Sequence, residues 1–127
     1  MPEQTEHGTS HLSITDAWGH TLAMTSSIES AFGSHTLVSL GEGGGFLLNN
    51  QLTDFSFSPS GTDGKPVANR VQAGKRPLSS MAPTLVYDPQ GRLRLAIGAA
   101  GGKTIPSQVA KAIVGVIDWG LSAQDAL

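Results

Sequence analysis

A glycine-rich stretch, Gly98-Ala99-Ala100-Gly101-Gly102, lies between a predicted strand and a predicted helix. Backbone N–H groups that precede a helix point outward and can stabilise an anion. The stretch is not a phosphate-binding loop, because Lys103 lacks the spacing and the flanking glycine of that motif. A turn built for close packing explains the same residues equally well, so an anion-stabilising role and a structural role both stand.

The side chains that could bind a metal or act as a nucleophile form no clear pattern of their own. The chain has four histidines: His7, His11, His20 and His35. Neither these nor the carboxylates show a metal-ligand spacing, so we expect no metal and no cofactor. Surface or strand-face positions explain the histidines, and a turn explains the pair Ser79 and Ser80. The absence of Cys excludes a thiol nucleophile and a thiolate zinc site.

Composition narrows the class of protein. The 127 residues include 8 Lys and Arg against 10 Asp and Glu, for a formal net charge of −2. Near-neutral charge without a basic run argues against nucleic-acid binding, which depends on neutralising phosphates. No apolar stretch approaches the roughly 20 residues that span a bilayer, and the first residues lack the pattern of a signal peptide. We therefore expect an α/β or α+β unit that binds neither nucleic acid nor membrane, and its compartment stays open.

Alternating residues near the start of the chain predict a β-hairpin. Two runs in which apolar and polar residues alternate flank a turn at 16–20. The apolar positions, which we expect to form a buried face, are Leu12, Ile14, Leu22, Met24 and Ile28. Residues that pair across antiparallel strands point to the same face, so the pattern pairs Ile14 with Leu22. Extended outward, this register sets Thr9 opposite Ser27 on the polar face.

The rest of the chain reads as short strands, one long loop and a helix. The predicted elements are a short strand at 46–48, a surface loop at 56–74, strands at 83–87 and 93–97, and a helix at 106–119. Gly120 is expected to end that helix. Ser122 and Asp125 have the spacing of a second helix cap. The chain ends two residues later, and we therefore expect it to be a fragment of a longer polypeptide.

Five sequence blocks follow one another in a specific order. They are Thr9-Ser10-His11, the run 28–33, the run 47–55 with its Leu-Asn-Asn-Gln core, the run 75–81 with Arg-Pro-Leu-Ser-Ser-Met, and the glycine-rich stretch. Together they closely resemble the small, catalytic subunit of the γ-glutamyltransferase (γ-glutamyltranspeptidase, glutathione hydrolase) family. The resemblance extends from Thr9 to the end of the chain.

The family resemblance implies a fold and a maturation step. The fold is α+β, part of the αββα sandwich of N-terminal-nucleophile hydrolases, with mostly antiparallel strands and a packing helix. In this family a precursor cleaves itself into a large and a small subunit. Residues 1–8 would then be an unstructured leader, the end of the large-subunit segment, and residues 9–127 a truncated small-subunit domain.

The resemblance also implies the catalytic residues. Cleavage between Gly8 and Thr9 would make Thr9 an N-terminal nucleophile, whose own α-amine can act as its base. Ser27 matches a family threonine whose hydroxyl bonds the nucleophile. Gly101 and Gly102 match the pair whose backbone N–H groups form the oxyanion hole.

Donor-binding residues follow from the same resemblance. Gln51 and Asp54 match residues that hold the α-ammonium group of the donor. Ser79 and Ser80 match those that bond its α-carboxylate, together with an Arg from the large subunit. Glu29 departs from the family, in which many members have Asn at that position. A carboxylate there meets an ammonium group but repels a donor carboxylate, so it predicts an altered donor preference.

The resemblance implies an enzyme that transfers a γ-glutamyl group from glutathione-like donors to water or an amino compound through an ester on Thr9. One alternative keeps the nucleophile but changes the donor to another amide, such as poly-γ-glutamate or a β-lactam side chain. Another alternative is a non-catalytic remnant that binds the large subunit or self-associates through an exposed sheet face. Because eight residues precede Thr9, we expect the isolated chain to be uncleaved and inactive.

Overall fold

The computed structural model describes residues 8–127. The strands are β1 (Thr9–Thr15), β2 (Thr21–Ser27), β3 (Leu37–Ser39), β4 (Gly45–Leu47), β5 (Thr84–Tyr87) and β6 (Leu93–Ile97), and the α-helices are α1 (Ile105–Ile117) and α2 (Ala123–Ala126). Consecutive strands pair as three antiparallel hairpins. Two compact units result: Gly8 with Ile28–Ser79, and Thr9–Ser27 with Ser80–Leu127. Apart from Gly8, the predicted leader lies outside the described residues.

The β1–β2 hairpin has the register that the alternation predicts. Ile14 pairs with Leu22, and five residues further out along the same ladder Thr9 pairs with Ser27. The turn is closed by Asp16, whose Oδ1 accepts the N–H groups of Trp18 and His20, each at 2.9 Å. The hydrogen bond with the His20 side chain, supported by these backbone donors, holds the pKa of Asp16 below its ordinary value.

The prediction that the apolar face of this hairpin is buried is wrong. Leu12 is 38% exposed and Ile14 is 57% exposed, and Leu22 and Met24 are similarly open. The alternation correctly shows which side chains share a face. It carries no information on whether a second layer covers that face, and within residues 8–127 none covers it.

The polar face of the hairpin packs against β6 instead. The His11 ring forms hydrogen bonds with Thr25 Oγ1 through Nδ1 at 2.8 Å and with Ser13 Oγ through Nε2 at 3.0 Å. Ser13 Oγ in turn donates to the carbonyl oxygen of Ala96 at 3.2 Å. A side chain at Gly98 would collide with the His11 ring. Glycine is therefore required where the end of β6 meets the polar face.

Helix α1 supplies most of the buried apolar surface of its unit. Its inward side chains recur at helical spacing, at Ile105, Val109 and Ala112. Gly115 allows α2 to approach, since a Cβ there would lie 2.9 Å from the Cβ of Ala126. The predicted cap of α2 is confirmed, because Ser122 Oγ accepts the Asp125 N–H at 3.2 Å. Among the described helices, none is long and apolar enough to cross a bilayer.

The other unit consists mainly of loops. Strand β4 corresponds to the predicted strand at 46–48, whereas its three-residue partner β3 is too short to have given a sequence signal. The predicted loop at 56–74 contains turns and two isolated bridges but no strand or helix. Asn69 braces it, with Nδ2 donating to the Asp54 carbonyl at 2.7 Å and Oδ1 accepting the Leu78 N–H at 2.9 Å.

Candidate active site

Thr9 and Ser27 form the first part of the candidate site. As the last pair of the β1–β2 ladder, they point to the same face. Their hydroxyl oxygens, Oγ1 of Thr9 and Oγ of Ser27, are 2.9 Å apart and share a hydrogen bond. Both residues are half-buried. The hairpin thus fixes one hydroxyl by means of another, which suits a nucleophile whose orientation must be set before reaction.

The glycine-rich stretch adopts a backbone conformation that requires glycine. Gly101 has φ +133° and Gly102 has φ +56°, values that side-chain-bearing residues rarely adopt. A Cβ on Gly101 would lie 2.8 Å from Gln108 Nε2. Thr104 fixes the loop, because its Oγ1 donates to the Gly101 carbonyl at 2.8 Å and accepts from Gln108 Nε2 at 2.6 Å. The stretch therefore combines close packing with a backbone conformation fixed by hydrogen bonds, as the structural explanation of these glycines predicts. An anion-stabilising role for their N–H groups is compatible with that explanation.

Glu29 and Asp54 form a pair of carboxyl groups in the other unit. Asp54 ends a short 3-10 helix that begins at Gln51. Burial raises the pKa of Asp54, and a hydrogen bond with the Glu29 side chain partly offsets that shift. Glu29 itself has φ +73°, in the left-handed region, which costs a non-glycine residue about 1–2 kcal/mol. Two adjacent carboxyl groups, one held in a strained backbone, suit the recognition of a cation.

Asn50 is an organising residue that the sequence analysis did not single out. Its backbone N–H donates to the Ile28 carbonyl at 3.2 Å. Its side-chain Oδ1 accepts the Ser30 N–H at 3.0 Å, and its Nδ2 donates to Ser30 Oγ at 2.9 Å. Asn50 therefore forms hydrogen bonds with the residues on both sides of Glu29, Ile28 and Ser30. We call residues 28–30 with 50–54 the carboxylate loop. The Leu-Asn-Asn-Gln block was the available signal, but it was used only as a family marker.

The two serines of the Arg-Pro-Leu-Ser-Ser-Met block lie outside the helices and strands. Ser79 is exposed and Ser80 is half-buried. The division between the units falls between them, so Ser79 belongs with the carboxylate loop and Ser80 with the hairpin and the glycine-rich stretch. No turn is formed at these two residues, so the turn that explains the pair in the sequence analysis is wrong.

The structure thus groups the predicted site residues by unit. One unit contains Thr9, Ser27, Gly101, Gly102 and Ser80, and the other contains Gly8, Glu29, Gln51, Asp54 and Ser79. Direct contacts join Thr9 to Ser27 and Glu29 to Asp54. Over residues 8–127, no three His, Asp or Glu side chains are placed to hold a metal ion.

Comparison with known proteins identifies relatives along the whole chain. The family model described as Gamma-glutamyltranspeptidase matches residues 1–127. The glutathione hydrolase proenzyme of Bacillus subtilis is 38% identical over 125 residues, which cover 98% of this chain and 20% of that protein. The glutathione hydrolase proenzyme of Escherichia coli is 41% identical over 123 residues, covering 93% of this chain and 20% of that protein. The chain thus spans about a fifth of the length of these curated relatives.

Solved structures agree in fold. A γ-glutamyltranspeptidase from Pseudomonas nitroreducens superposes with a TM-score of 0.76 at 34% identity. The superposition covers 91% of this chain and 60% of the solved one. The architecture of the described residues, short antiparallel strands with one main helix, is therefore a portion of the fold seen in that protein.

Proposed function

The chain belongs to the γ-glutamyltranspeptidase family, and from that premise we propose that it supplies the nucleophile of an enzyme that cleaves γ-glutamyl amides such as glutathione. The observation that carries this proposal is the 2.9 Å hydrogen bond between the hydroxyls of Thr9 and Ser27. It supports Thr9 as the attacking group, because it orients an otherwise weak nucleophile.

The proposed reaction begins with an amine at residue 9. Once the Gly8–Thr9 bond is cut, the α-amine of Thr9 takes the proton from its own hydroxyl. Thr9 Oγ1 attacks the γ-carbonyl of the donor, and an oxyanion forms on that carbonyl. The backbone N–H groups of Gly101 and Gly102 stabilise the charge, a contribution worth about 2.7–4 kcal/mol per donor. The bond between that carbon and the donor nitrogen breaks, the α-ammonium of Thr9 passes its proton to the leaving amine, and a γ-glutamyl ester remains on Thr9.

The ester is then resolved by an acceptor. Water attacks it in hydrolysis, and an amino acid or peptide amine attacks it in transfer. Either attack regenerates the Thr9 hydroxyl, so the order of events is ping-pong. Hydrolysis corresponds to the name glutathione hydrolase that the relatives carry.

Recognition of the donor follows from its charges. A γ-glutamyl group carries an α-ammonium and an α-carboxylate. We assign the ammonium to Glu29 and Asp54, with Gln51 beside them, because paired carboxyl groups attract a cation. We assign the carboxylate to the hydroxyls of Ser79 and Ser80. The carboxylate of Glu29, where many family members have Asn, favours donors whose charge near it is positive.

The complete enzyme is proposed to be a larger precursor. This chain covers 20% of the Bacillus subtilis proenzyme, which supports a second, large subunit as its partner. In that assembly residues 9–127 belong to the small subunit, and the partner adds an Arg that binds the donor carboxylate.

The test uses the full-length precursor with a γ-glutamyl anilide as substrate. We expect Thr9→Ala to lower kcat by about 10³-fold or more, because no other hydroxyl replaces the nucleophile. Ser10→Ala is the matched control, since Ser10 is the adjacent hydroxyl on the opposite, exposed face of β1. Mass spectrometry should find the γ-glutamyl adduct on residue 9. Turnover by Thr9→Ala at the unmodified rate would refute the proposal.

A further inference from the structure

The ladder of the β1–β2 hairpin continues one pair beyond its last strand residues. The backbone N–H of Ile28 donates to the carbonyl oxygen of Gly8 at 3.1 Å. That carbonyl belongs to the peptide bond between Gly8 and Thr9. The bond proposed to be cut therefore has a backbone donor already aimed at the oxygen on which negative charge would develop.

Gly8 occupies a slot that excludes side chains. A Cβ on this residue would lie 2.5 Å from the carbonyl oxygen of Glu29 and 2.6 Å from that of Ser30. Both of those atoms are backbone, so neither can move aside as a flexible side chain does. Any other residue at position 8 must shift the chain, and the shift displaces its carbonyl from the Ile28 N–H.

The Ile28 donor is held in place from the other side. The Asn50 N–H donates to the Ile28 carbonyl at 3.2 Å, and the Asn50 side chain bonds Ser30 twice, at 3.0 Å and 2.9 Å. Preorganised donors of this kind stabilise developing charge because they do not have to reorient during the reaction.

We propose that the Ile28 N–H is the oxyanion donor for self-cleavage of the Gly8–Thr9 bond, and that Gly8 is the residue that positions the scissile carbonyl on it. This inference rests on the proposed function, in which that bond is cut. It assigns self-cleavage a donor of its own, separate from the Gly101 and Gly102 amides assigned to turnover.

The step balances as an N-to-O acyl shift followed by hydrolysis. Thr9 Oγ1 bonds to the Gly8 carbonyl carbon, and the Ile28 N–H stabilises the resulting oxyanion. The bond from that carbon to the Thr9 nitrogen breaks, and the proton of the hydroxyl ends on the nitrogen, which becomes the free amine. Water then cleaves the ester, leaving a carboxylate on Gly8 and the hydroxyl on Thr9.

The first experiment follows self-cleavage of the purified full-length precursor by gel and N-terminal sequencing. We expect Gly8→Ala to slow the appearance of the Thr9 N-terminus by about 100-fold, the effect of losing one oxyanion donor. Gly44→Ala is the matched control, because Gly44 lies in the same unit and the nearest atom to its Cβ would be Leu40 Cβ, at an ordinary 3.5 Å.

The second experiment removes the donor atom alone. Replacing Ile28 by its α-hydroxy analogue turns the N–H into an ester oxygen while keeping the side chain, and we expect a similar loss of about 100-fold. The same replacement at Leu48, whose N–H donates to Thr36 at 2.9 Å, controls for the loss of one ladder hydrogen bond.

The outcomes separate this inference from the proposed function. Suppose that the variant with the Ile28 ester and the Gly8→Ala variant both cut the Gly8–Thr9 bond at rates within threefold of the unmodified precursor. That result would overturn this inference and leave the proposed function standing. Equal slowing by the Leu48 ester would also overturn it, since the effect would then be structural. A precursor that never yields a Thr9 N-terminus, yet hydrolyses γ-glutamyl anilides, would instead refute the proposed maturation.

Discussion

The β1–β2 hairpin and the carboxylate loop position their candidate functional groups in different ways. In the hairpin, the Thr9–Ser27 pair is the last pair of a seven-pair antiparallel ladder. In the loop, Glu29 adopts φ +73° between two peptide groups that Asn50 holds. One region is positioned by a repeating backbone pattern and the other by a single residue, Asn50, through both its backbone N–H and its side chain. We therefore expect hairpin substitutions to change kcat and loop substitutions to change KM and stability.

After Thr9→Ala, the largest effect is expected at the glycine-rich stretch, which lies in the same unit as the hairpin. Gly101→Ala should lower kcat by about 10²–10³-fold in the full-length enzyme. Alanine does not readily keep the φ of +133° that Gly101 has, so the amides proposed to bind the oxyanion would rotate away from it. Gly120→Ala is the control, since Gly120 has φ +66° but a Cβ there would meet no atom within 4 Å. It should lose stability and keep kcat. Equal kcat losses would show that backbone strain, not the oxyanion amides, is responsible.

Asn50→Ala tests whether one side chain holds the carboxylate loop. We expect the free energy of unfolding to fall by about 2 kcal/mol, because the Ser30 N–H and hydroxyl both lose their partner. KM for the donor should rise while kcat changes little. Asn49→Ala removes only one bond, from the Gln51 N–H to Oδ1 at 3.0 Å, and should cost clearly less in chemical denaturation. If the two variants cost the same, Asn50 has no special role.

Ser27→Ala tests the hairpin directly. Loss of the hydroxyl that bonds Thr9 should lower kcat about tenfold, equivalent to about 1.4 kcal/mol, without raising KM. Ser27→Thr should retain activity because it keeps the hydroxyl. Ser26→Ala removes the neighbouring, exposed hydroxyl on the opposite face. A change in KM rather than kcat for Ser27→Ala would contradict the separation between the two regions.

Glu29→Gly should change stability and function in opposite directions. Glycine relieves the left-handed strain at this position, so the free energy of unfolding should rise by about 0.5 kcal/mol after the entropic cost of glycine is subtracted. KM for the donor should rise because half of the carboxyl pair is lost. His35→Gly is the matched control, as His35 is exposed and has φ +58°. It should gain similar stability with KM unchanged, as measured by thermal unfolding and steady-state kinetics.

The smallest effect concerns the pH dependence of stability. Burial raises the pKa of Asp54 in the folded chain, so the protonated form favours folding. The stabilisation is complete at acidic pH, below the unfolded value, and is lost as the pH rises through the raised pKa. Asp54→Asn should therefore gain thermal stability relative to the unmodified chain at neutral pH, and the gain should vanish in acid. A gain that does not depend on pH would contradict this assignment.

The sequence predicted the hairpin better than the loop for a physical reason. Alternation of apolar and polar residues sets the ladder register, and the register alone brings Thr9 opposite Ser27. Burial of the apolar face did not follow, because a period of two says nothing about neighbouring layers. The positive φ of Glu29 and the position of Asn50 depend on hydrogen bonds between residues about 20 positions apart. No pattern among neighbouring residues in the sequence indicates such bonds.

The contact between His11 and Gly98 links two parts of the candidate chemistry. His11 lies on the strand that carries Thr9, and its ring fills the space where a side chain at Gly98 would stand, at the start of the glycine-rich stretch. The distance between β1, which carries Thr9, and the start of the glycine-rich stretch is thus set by the imidazole ring of His11. Protein engineers who wish to admit bulkier acyl groups should treat that ring as a fixed spacer and look for extra room elsewhere.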